Sequence, residues 1–464
     1  MKIHFNGAAR TVTGSQYLIE TEHARILLEC GLFQGRRDES YQRNLNFRFD
    51  PRQLDAVLLS HAHIDHSGNL PNLVKQGYAG QVHATAATAD LSRVMLLDSG
   101  HIQEADALFI NKRRARRNEP PVQPLYTQAD AARVAEHFVP HALNQPAEIA
   151  PGIRAEFIEA GHILGSAAIR LEIEEGGRTH SVWFSGDIGR YKLPILRDPV
   201  LPSDADVLMM ECTYGDEPHE DVELAHAKFH QVVLRTLQRG GKLIVPAFAV
   251  GRTQELVYSL NMLVADGKIA GVPVYVDSPL AVNATRVFMD HPECYDQETH
   301  TFIHEERHPA LNFPGLTYIR DVEESKKLND RKGPMVIISA SGMAESGRIL
   351  HHLKNNIGDP KNTVAIVSWQ APYTLGRRIA ERQPLVKIFG EEYPLRAEVA
   401  TISGLSAHAG QDLLITYARA VEGRARRIFL VHGEQEAATA LREQLAGSRL
   451  PLPVYPELGQ TLEG

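Results

Sequence analysis

LLSHAHIDHSG (residues 58–68) sets His61, His63, Asp65 and His66 within six positions, directly after an apolar run. Two readings compete: a solvated turn that is rich in histidine, or half of a metal site whose other half lies elsewhere. A lone histidine in a turn is ordinary. Four ligand-type side chains where a strand ends are not, because ligands in α/β proteins collect just beyond the carboxyl ends of strands. Residues two apart in an extended segment point the same way, so His61 and His63 can bind one ion. Asp65 and His66, past the bend, can then face a second.

A histidine or aspartate beside an apolar run recurs further on. His162 follows AEFIEAG, Asp187 follows SVWFSG, His408 sits in ISGLSAH, and His432 follows RIFLV. Imidazole and carboxylate without thiolate suit Zn²⁺ and also admit Mn²⁺ or Fe. The cysteines, Cys30, Cys212 and Cys294, are too few and too scattered for a disulfide framework or a thiolate site, which points to a reducing cytoplasm. A chain of 464 residues, 43% hydrophobic and 23% charged, is ordinary for a soluble globular protein of roughly two to four domains. The start, MKIHFNGAARTVTGSQ, lacks the apolar core of a signal peptide, and no apolar run approaches the ~20 residues of a membrane span. The net charge of −8 argues against a basic coat for nucleic acid. A dinuclear metal centre would nevertheless return about four positive charges locally.

SQYLIE and ARILLECG predict an early hairpin closed by Gly31, and LDAVLLS (54–60) a buried strand. Residues 89–118 predict a helix ending in Lys112, Arg113, Arg114, Arg116 and Arg117, read as a solvated helix end ahead of an RNA-contacting patch. IRAEFIEAGHILGSAAIRLEIEE and HSVWFSGDIGR predict three more strands, with turns at Gly161 and Gly186. After residue 212 helices and strands alternate, the pattern of a parallel βαβ unit. The expected domains are therefore 1–211, an inserted 212–385, and 386–464 returning to the first. The first strand comes so early that no separate N-terminal RNA-binding domain is expected.

HAHIDH matches the HxHxDH signature of the metallo-β-lactamase fold, and the later single ligands follow that family's order. ECTYG, VPAFAVGRTQEL, ISASGMAESGR, SAHAG and VHGE resemble the β-CASP branch, the nucleic-acid-cleaving metallo-β-lactamases. The likeness covers essentially the whole chain. It is greatest to the ribonuclease subgroup that includes the nuclease subunit of the eukaryotic cleavage and polyadenylation specificity factor. The resemblance implies an αββα sandwich with an inserted β-CASP domain built on a parallel sheet flanked by helices. It implies two Zn²⁺ ions, with Mn²⁺ or Fe as alternatives: His61, His63 and His162 on one, Asp65, His66 and His432 on the other, Asp187 bridging. The branch's three motifs fall on Glu211, His408 and His432. Relatives often carry Asp where this chain has Glu29, a residue that orients a ligand histidine.

The implied activity is hydrolysis of single-stranded RNA, as an endonuclease with 5′-exonuclease action in reach, for RNA processing or decay. Asp65 would help take the water's proton. His408, free of metal, would be the general acid, its charge supported by Glu211. SASGMAESGR reads as a small-residue turn opening a helix, so the N–H groups of Ser341 and Gly342 could receive a phosphate beside Arg348. Arg252 is a similar candidate, against an ordinary helix-start salt bridge. Trp369 and Tyr373 could stack on bases but are assigned to the core. No membrane partner is expected, and a homodimer is admitted. The DNA-cleaving subgroup typically has valine where this chain has His432. Small-molecule hydrolases of the fold lack the insertion and SAHAG, and a non-catalytic scaffold would have lost ligands.

Overall fold

Apolar runs such as AVLL (56–59) and IFLV (428–431) have no polar face to leave in water, so they need cover on both sides. The computed structural model describes residues 1–35, 37–306 and 309–464. They form two units, one from Met1–Arg190, Asp198–Pro218 and His408–Gly464, the other from Tyr191–Arg197 and His219–Ala407.

The first unit begins with β1 (Lys2–Phe5), β2 (Tyr17–Glu20), β3 (Arg25–Leu28), β4 (Ala56–Leu58), β5 (Gln81–Thr85) and β6 (Phe138–His141). It continues with β7 (Ala147–Ala150), β8 (Ile153–Glu159), β9 (Ala167–Glu175), β10 (Arg178–Phe184) and β11 (Val207–Glu211). The second unit holds β12 (Lys242–Pro246), β13 (Val274–Asp277), β14 (Leu316–Ile319), β15 (Met335–Ser339), β16 (Thr363–Ile366), β17 (Leu385–Ile388), β18 (Glu391–Pro394) and β19 (Glu398–Thr401). Then β20 (Arg427–Val431) and β21 (Thr461–Glu463) return to the first.

In the first unit one sheet runs β21-β1-β2-β3-β4-β5-β6 and the other β20-β11-β10-β9-β8-β7. Ile3, Phe5, Ile26 and Leu58 of one meet Phe157, Ile169, Phe184 and Val431 of the other in a shared core. The outer face of the first sheet (Leu27, Val57) is covered by Leu73 and Leu96 of helices Leu70–Lys75 and Ala86–Ala115. That of the second (Leu208, Leu430) is covered by Leu414, Tyr417 and Leu441 of helices Gln411–Arg419 and Gln435–Leu445. The layers are helix, sheet, sheet, helix, the expected αββα sandwich. The hairpin of β2 and β3 forms in register Tyr17↔Leu28, and β8, β9 and β10 pair antiparallel. The helix expected over 89–118 runs Ala86–Ala115, capped by the Thr85 hydroxyl.

The second unit is a parallel sheet in the order β14-β13-β15-β12-β16-β19, packed against helices through Ile244, Ile337, Ile349, Leu353 and Ile379. It runs past residue 385, the expected end of the insertion. The reason is β19, which pairs parallel with β16 from Thr363↔Glu398 to Ile366↔Thr401 and carries the unit to Ala407. Among the described residues no helix is long and apolar enough to cross a membrane.

Candidate metal centre and active site

Strand direction decides where side chains gather. β3 and β4 are parallel, β10, β11 and β20 are parallel, and β8 runs with β10 because both are antiparallel to β9. The candidate ligands follow the carboxyl ends of β4, β8, β10 and β20, Glu211 ends β11, and His408 comes from the loop ahead of helix Gln411–Arg419. The turn after β4 is fixed by main-chain bonds: Ser15 N–H donates to Asp65 O (2.8 Å), Leu32 N–H to Ile64 O (2.9 Å) and Cys30 N–H to His66 O (2.7 Å). The chains cross so closely that a methyl on Gly31 would fall 1.7 Å from the Asp65 carbonyl oxygen. Gly189 does the same for the loops after β8 and β10, where a methyl would lie 1.8 Å from Gly161 O, and so lets His162 and Asp187 meet. Glu29 and His432 sit in the left-handed region, at φ 63° and 48°. Such backbone costs about 1–3 kcal/mol and collects at functional sites. Their N–H groups are tied to Leu58 O (3.0 Å) and Ala8 O (2.8 Å).

Two groups of ligand atoms result. In the first, His61 Nε2 lies 3.1 Å from His63 Nδ1, which lies 3.2 Å from His162 Nε2. Asp187 Oδ2 completes it at 3.4 Å from His61 Nε2 and 3.6 Å from His162 Nε2. In the second, His432 Nε2 lies 3.3 Å from His66 Nε2 and 3.4 Å from Asp65 Oδ2. Asp187 Oδ1 is 3.3 Å from that His66 nitrogen. Metal–ligand bonds of 2.0–2.1 Å make the edge of a coordination tetrahedron about 3.3–3.4 Å, so these spacings are the edges such an ion requires. One carboxylate turns one oxygen to each group. Asp187 Oδ1 is buried with no hydrogen-bond partner, an expensive state for a carboxylate unless a cation meets it. The residues therefore fit a pair of metal ions.

The electrostatics agree. Burial, reinforced by neighbouring imidazoles, pushes His61 and His162 well below the usual histidine range, and burial brings His63 down to about 4. These rings are neutral near pH 7, the form that ligates. Burial raises the carboxyls of Asp65 and Asp187, but His432, His66 and their neighbours outweigh it and hold both below the usual range. His66 behaves differently: burial opposes its charge, yet Asp187, Glu29 and Asp65 raise it well above the ordinary value. Its Nδ1 lies 2.7 Å from Glu29 Oε2, while Glu29 Oε1 accepts from Ser60 N–H at 2.7 Å. Glu29 thus turns Nε2 of His66 toward the centre, and the glutamate in place of aspartate reaches its histidine.

His408 stands beside this centre. Its Nδ1 is 3.2 Å from both oxygens of the buried Glu211 and 3.9 Å from Asp187 Oδ2. Glu211 is fixed by the Ile188 N–H, which donates to Oε1 at 2.6 Å. Burial works against charge on His408, but Glu211, Asp187 and Asp65 prevail and raise its pKa to about 9. Two polar neighbours escaped the sequence reading. The Thr213 hydroxyl donates to His432 O (3.0 Å) and lies 3.1 Å from its Nδ1, and Ser60 Oγ lies 3.0 Å from His61 Nδ1. Their signal was adjacency to the motifs, in ECTYG and LLSHAH.

The expected phosphate contacts meet a different arrangement. Arg252 is 7% exposed and pairs with Glu255, the helix-start salt bridge. Arg348 Nη1 bonds Asp277 Oδ1 at 2.7 Å, and its Nη2 donates to Arg320 O at 2.6 Å. Ser341 does not open a helix: its N–H donates to Ser346 O (3.3 Å), its Oγ accepts from Glu345 N–H (3.1 Å), and the helix begins only at Ile349. Gly342 is buried, its carbonyl taken by Gln370 Nε2 at 3.1 Å. Both arginines have partners inside the fold, a structural use that competes with the phosphate reading. Arg348→Ala is expected to cost about 3 kcal/mol, because it takes the guanidinium from buried Asp277 Oδ1 and leaves that carboxylate only His352 and Ser325 on Oδ2. At about 2–4 °C per kcal/mol for a unit of this size, Tm should fall by roughly 6–12 °C. An unmoved Tm with weakened RNA affinity would return Arg348 to the substrate. Trp369 and Tyr373, assigned to the core from sequence, are exposed at 56% and 94%.

Three family models match in succession: the metallo-beta-lactamase superfamily over residues 9–213, the Beta-Casp domain over 253–379, and the Zn-dependent metallo-hydrolase RNA specificity domain over 392–454. A relative from Thermus thermophilus named Ribonuclease TTHA0252 is 38% identical over 447 residues, covering 96% of each chain. Proteins named Transcription termination factor FttA, from Methanosarcina mazei and Methanocaldococcus jannaschii, are each 32% identical over 94% of this chain and 67% of their own length. A crystal structure of a protein of unknown function from Enterococcus faecalis shares the fold, with a TM-score of 0.56 at 13% identity over 99% of each chain. Together with the paired ligand groups, these matches make the chain a member of the β-CASP ribonuclease family of the metallo-β-lactamase superfamily.

Proposed function

We propose that the chain hydrolyses phosphodiester bonds within single-stranded RNA with two Zn²⁺ ions, leaving 5′-phosphate and 3′-hydroxyl ends, as a step in RNA processing or decay. The observation that carries the reading is Asp187, one oxygen facing each group of ligands and one of them without a hydrogen bond. His61, His63 and His162 would hold one ion and Asp65, His66 and His432 the other. When bound, the ions supply Lewis-acid activation of water and neutralise charge on the phosphate. The rest falls to side chains. Asp65, a quarter exposed where Asp187 is buried, is the carboxylate within reach of an entering water and would receive its proton. His408, held through Nδ1 against Glu211, would protonate the departing ribose oxygen. Cations nearby would push its pKa down, and Glu211, against its Nδ1, would oppose that by favouring the imidazolium.

Elemental analysis is expected to return two ions per chain, and the loaded protein to cut internally labelled RNA into fragments with 5′-phosphates. One ion or none, with no second taken up on titration, would overturn the two-metal reading. Full loading without cleavage would overturn the activity.

A further inference from the structure

Three loops of the second unit come together where β15, β12 and β16 end, and those after β12 and β16 expose aromatic side chains. Phe248 follows β12 and is 44% exposed; Trp369 and Tyr373 follow β16. Rings of this size normally supply burial energy to a core, so leaving them in water calls for another use. The loops beneath are tightly stapled. Gln370, buried between Trp369 and the next turn, donates through Nε2 to Gly342 O (3.1 Å) and Ser368 O (3.0 Å). Gly376 N–H donates to Met343 O (3.0 Å), and Leu375 N–H to the Glu345 carboxylate. Phe248 lies against Gly342, where a methyl would come within 3.0 Å of its ring. Tyr373 is held at φ 70°, a costly conformation for a bulky aromatic. Its carbonyl and that of Thr374 accept from Arg378, at 3.4 and 3.3 Å. The nearby Glu381 pairs with Arg377, and among the described residues no carboxylate pairs with Arg378, whose charge sits against the Tyr373 and Thr374 backbone.

We propose that Phe248, Trp369 and Tyr373 form a stacking platform for unpaired RNA bases, with Arg378 supplying charge to the backbone that runs between them. Flat rings and an uncompensated guanidinium on a rigid support match the alternation of base face and phosphate in a single strand. The inference rests on the proposed action on RNA and adds where the bases are held. Stacking on one ring contributes about five- to 150-fold in affinity by alanine substitution.

Trp369 is its own reporter, since the chain's other tryptophan, Trp183, is buried away from any added RNA. In full-length, metal-loaded protein carrying His408→Ala to slow cleavage, a single-stranded RNA 12-mer is expected to quench tryptophan emission. An abasic 12-mer with the same phosphates should not. Trp369→Ala and Tyr373→Ala should each weaken the RNA 12-mer by about five-fold or more and leave the abasic one alone, while Trp369→Phe keeps most of the affinity. Equal losses on both oligomers would make the rings structural supports. No quench and no loss would overturn the platform, as would binding of a protein there instead. Wild-type cleavage of RNA is read separately, so cleavage without quenching defeats only the platform, and quenching without cleavage defeats only the proposed activity.

Discussion

His408→Ala is expected to lower turnover on RNA by about 10²–10⁴-fold, the usual share of a general acid, while metal content and RNA affinity stay near wild type. The geometry sets it apart from the two histidine groups: its Nδ1 faces Glu211, and it clusters with Asp187 and Glu211 rather than with the other imidazoles. A linkage whose bridging 3′-oxygen is replaced by sulfur gives the control. A thiolate departs without a proton far more readily than an alkoxide, so the deficit should shrink on that substrate. An equal deficit on both would remove His408 from the acid's role. Glu211→Gln should give a smaller loss and move the basic limb of the pH–rate profile to lower pH. The sign follows from the charges: the acid works only while protonated, and removing a carboxylate lowers the pH at which it lets go.

Asp187→Asn is expected to do more damage by a different route. The amide keeps the volume but surrenders the charge that faces both ligand groups, and it places an N–H₂ where a lone pair was required. Loss of a partner that merely orients a ligand weakens metal binding about 10–100-fold; loss of the shared carboxylate should exceed that, leaving protein with less than two ions and no measurable cleavage. Glu29→Gln should fall within the milder range. In wild type the three-histidine group should keep its ion from pH 8 down to about 6. Burial has already moved His63 to about 4 and its neighbours well below the ordinary value, so protons compete only in more acid solution. Retention of the ion in Asp187→Asn would remove the bridge from the reading.

The αββα fold and the meeting of the candidate ligands were legible because strand ends are local and their convergence is topological. HAHIDH names its own turn, and His162, Asp187 and His432 each follow an apolar strand whose direction the sheet then fixes. The second unit was less legible. EVAT reads equally well as a strand of either unit, and only pairing with β16 decides. Arg252 and Arg348 look like phosphate ligands until Glu255 and Asp277, one of them distant in sequence, are seen beside them. Trp369 was assigned to the core because most tryptophans are buried; nothing local revealed that Gln370 beside it turns inward in its place.

The last of the candidate ligands to be made is His432, directly after the strand that lies beside β11 at the edge of the second sheet. Residues 212–426 are polymerised between those two neighbours, which at translation rates of about 5–20 residues per second is a delay of roughly ten to forty seconds. Through that interval a growing chain carries His61, His63, His162 and Asp187 but lacks His432, and until residue 408 is added it lacks His408 as well. On the proposed reading a nascent chain would therefore stay unable to cut its own message until His432 had been made and had left the exit tunnel.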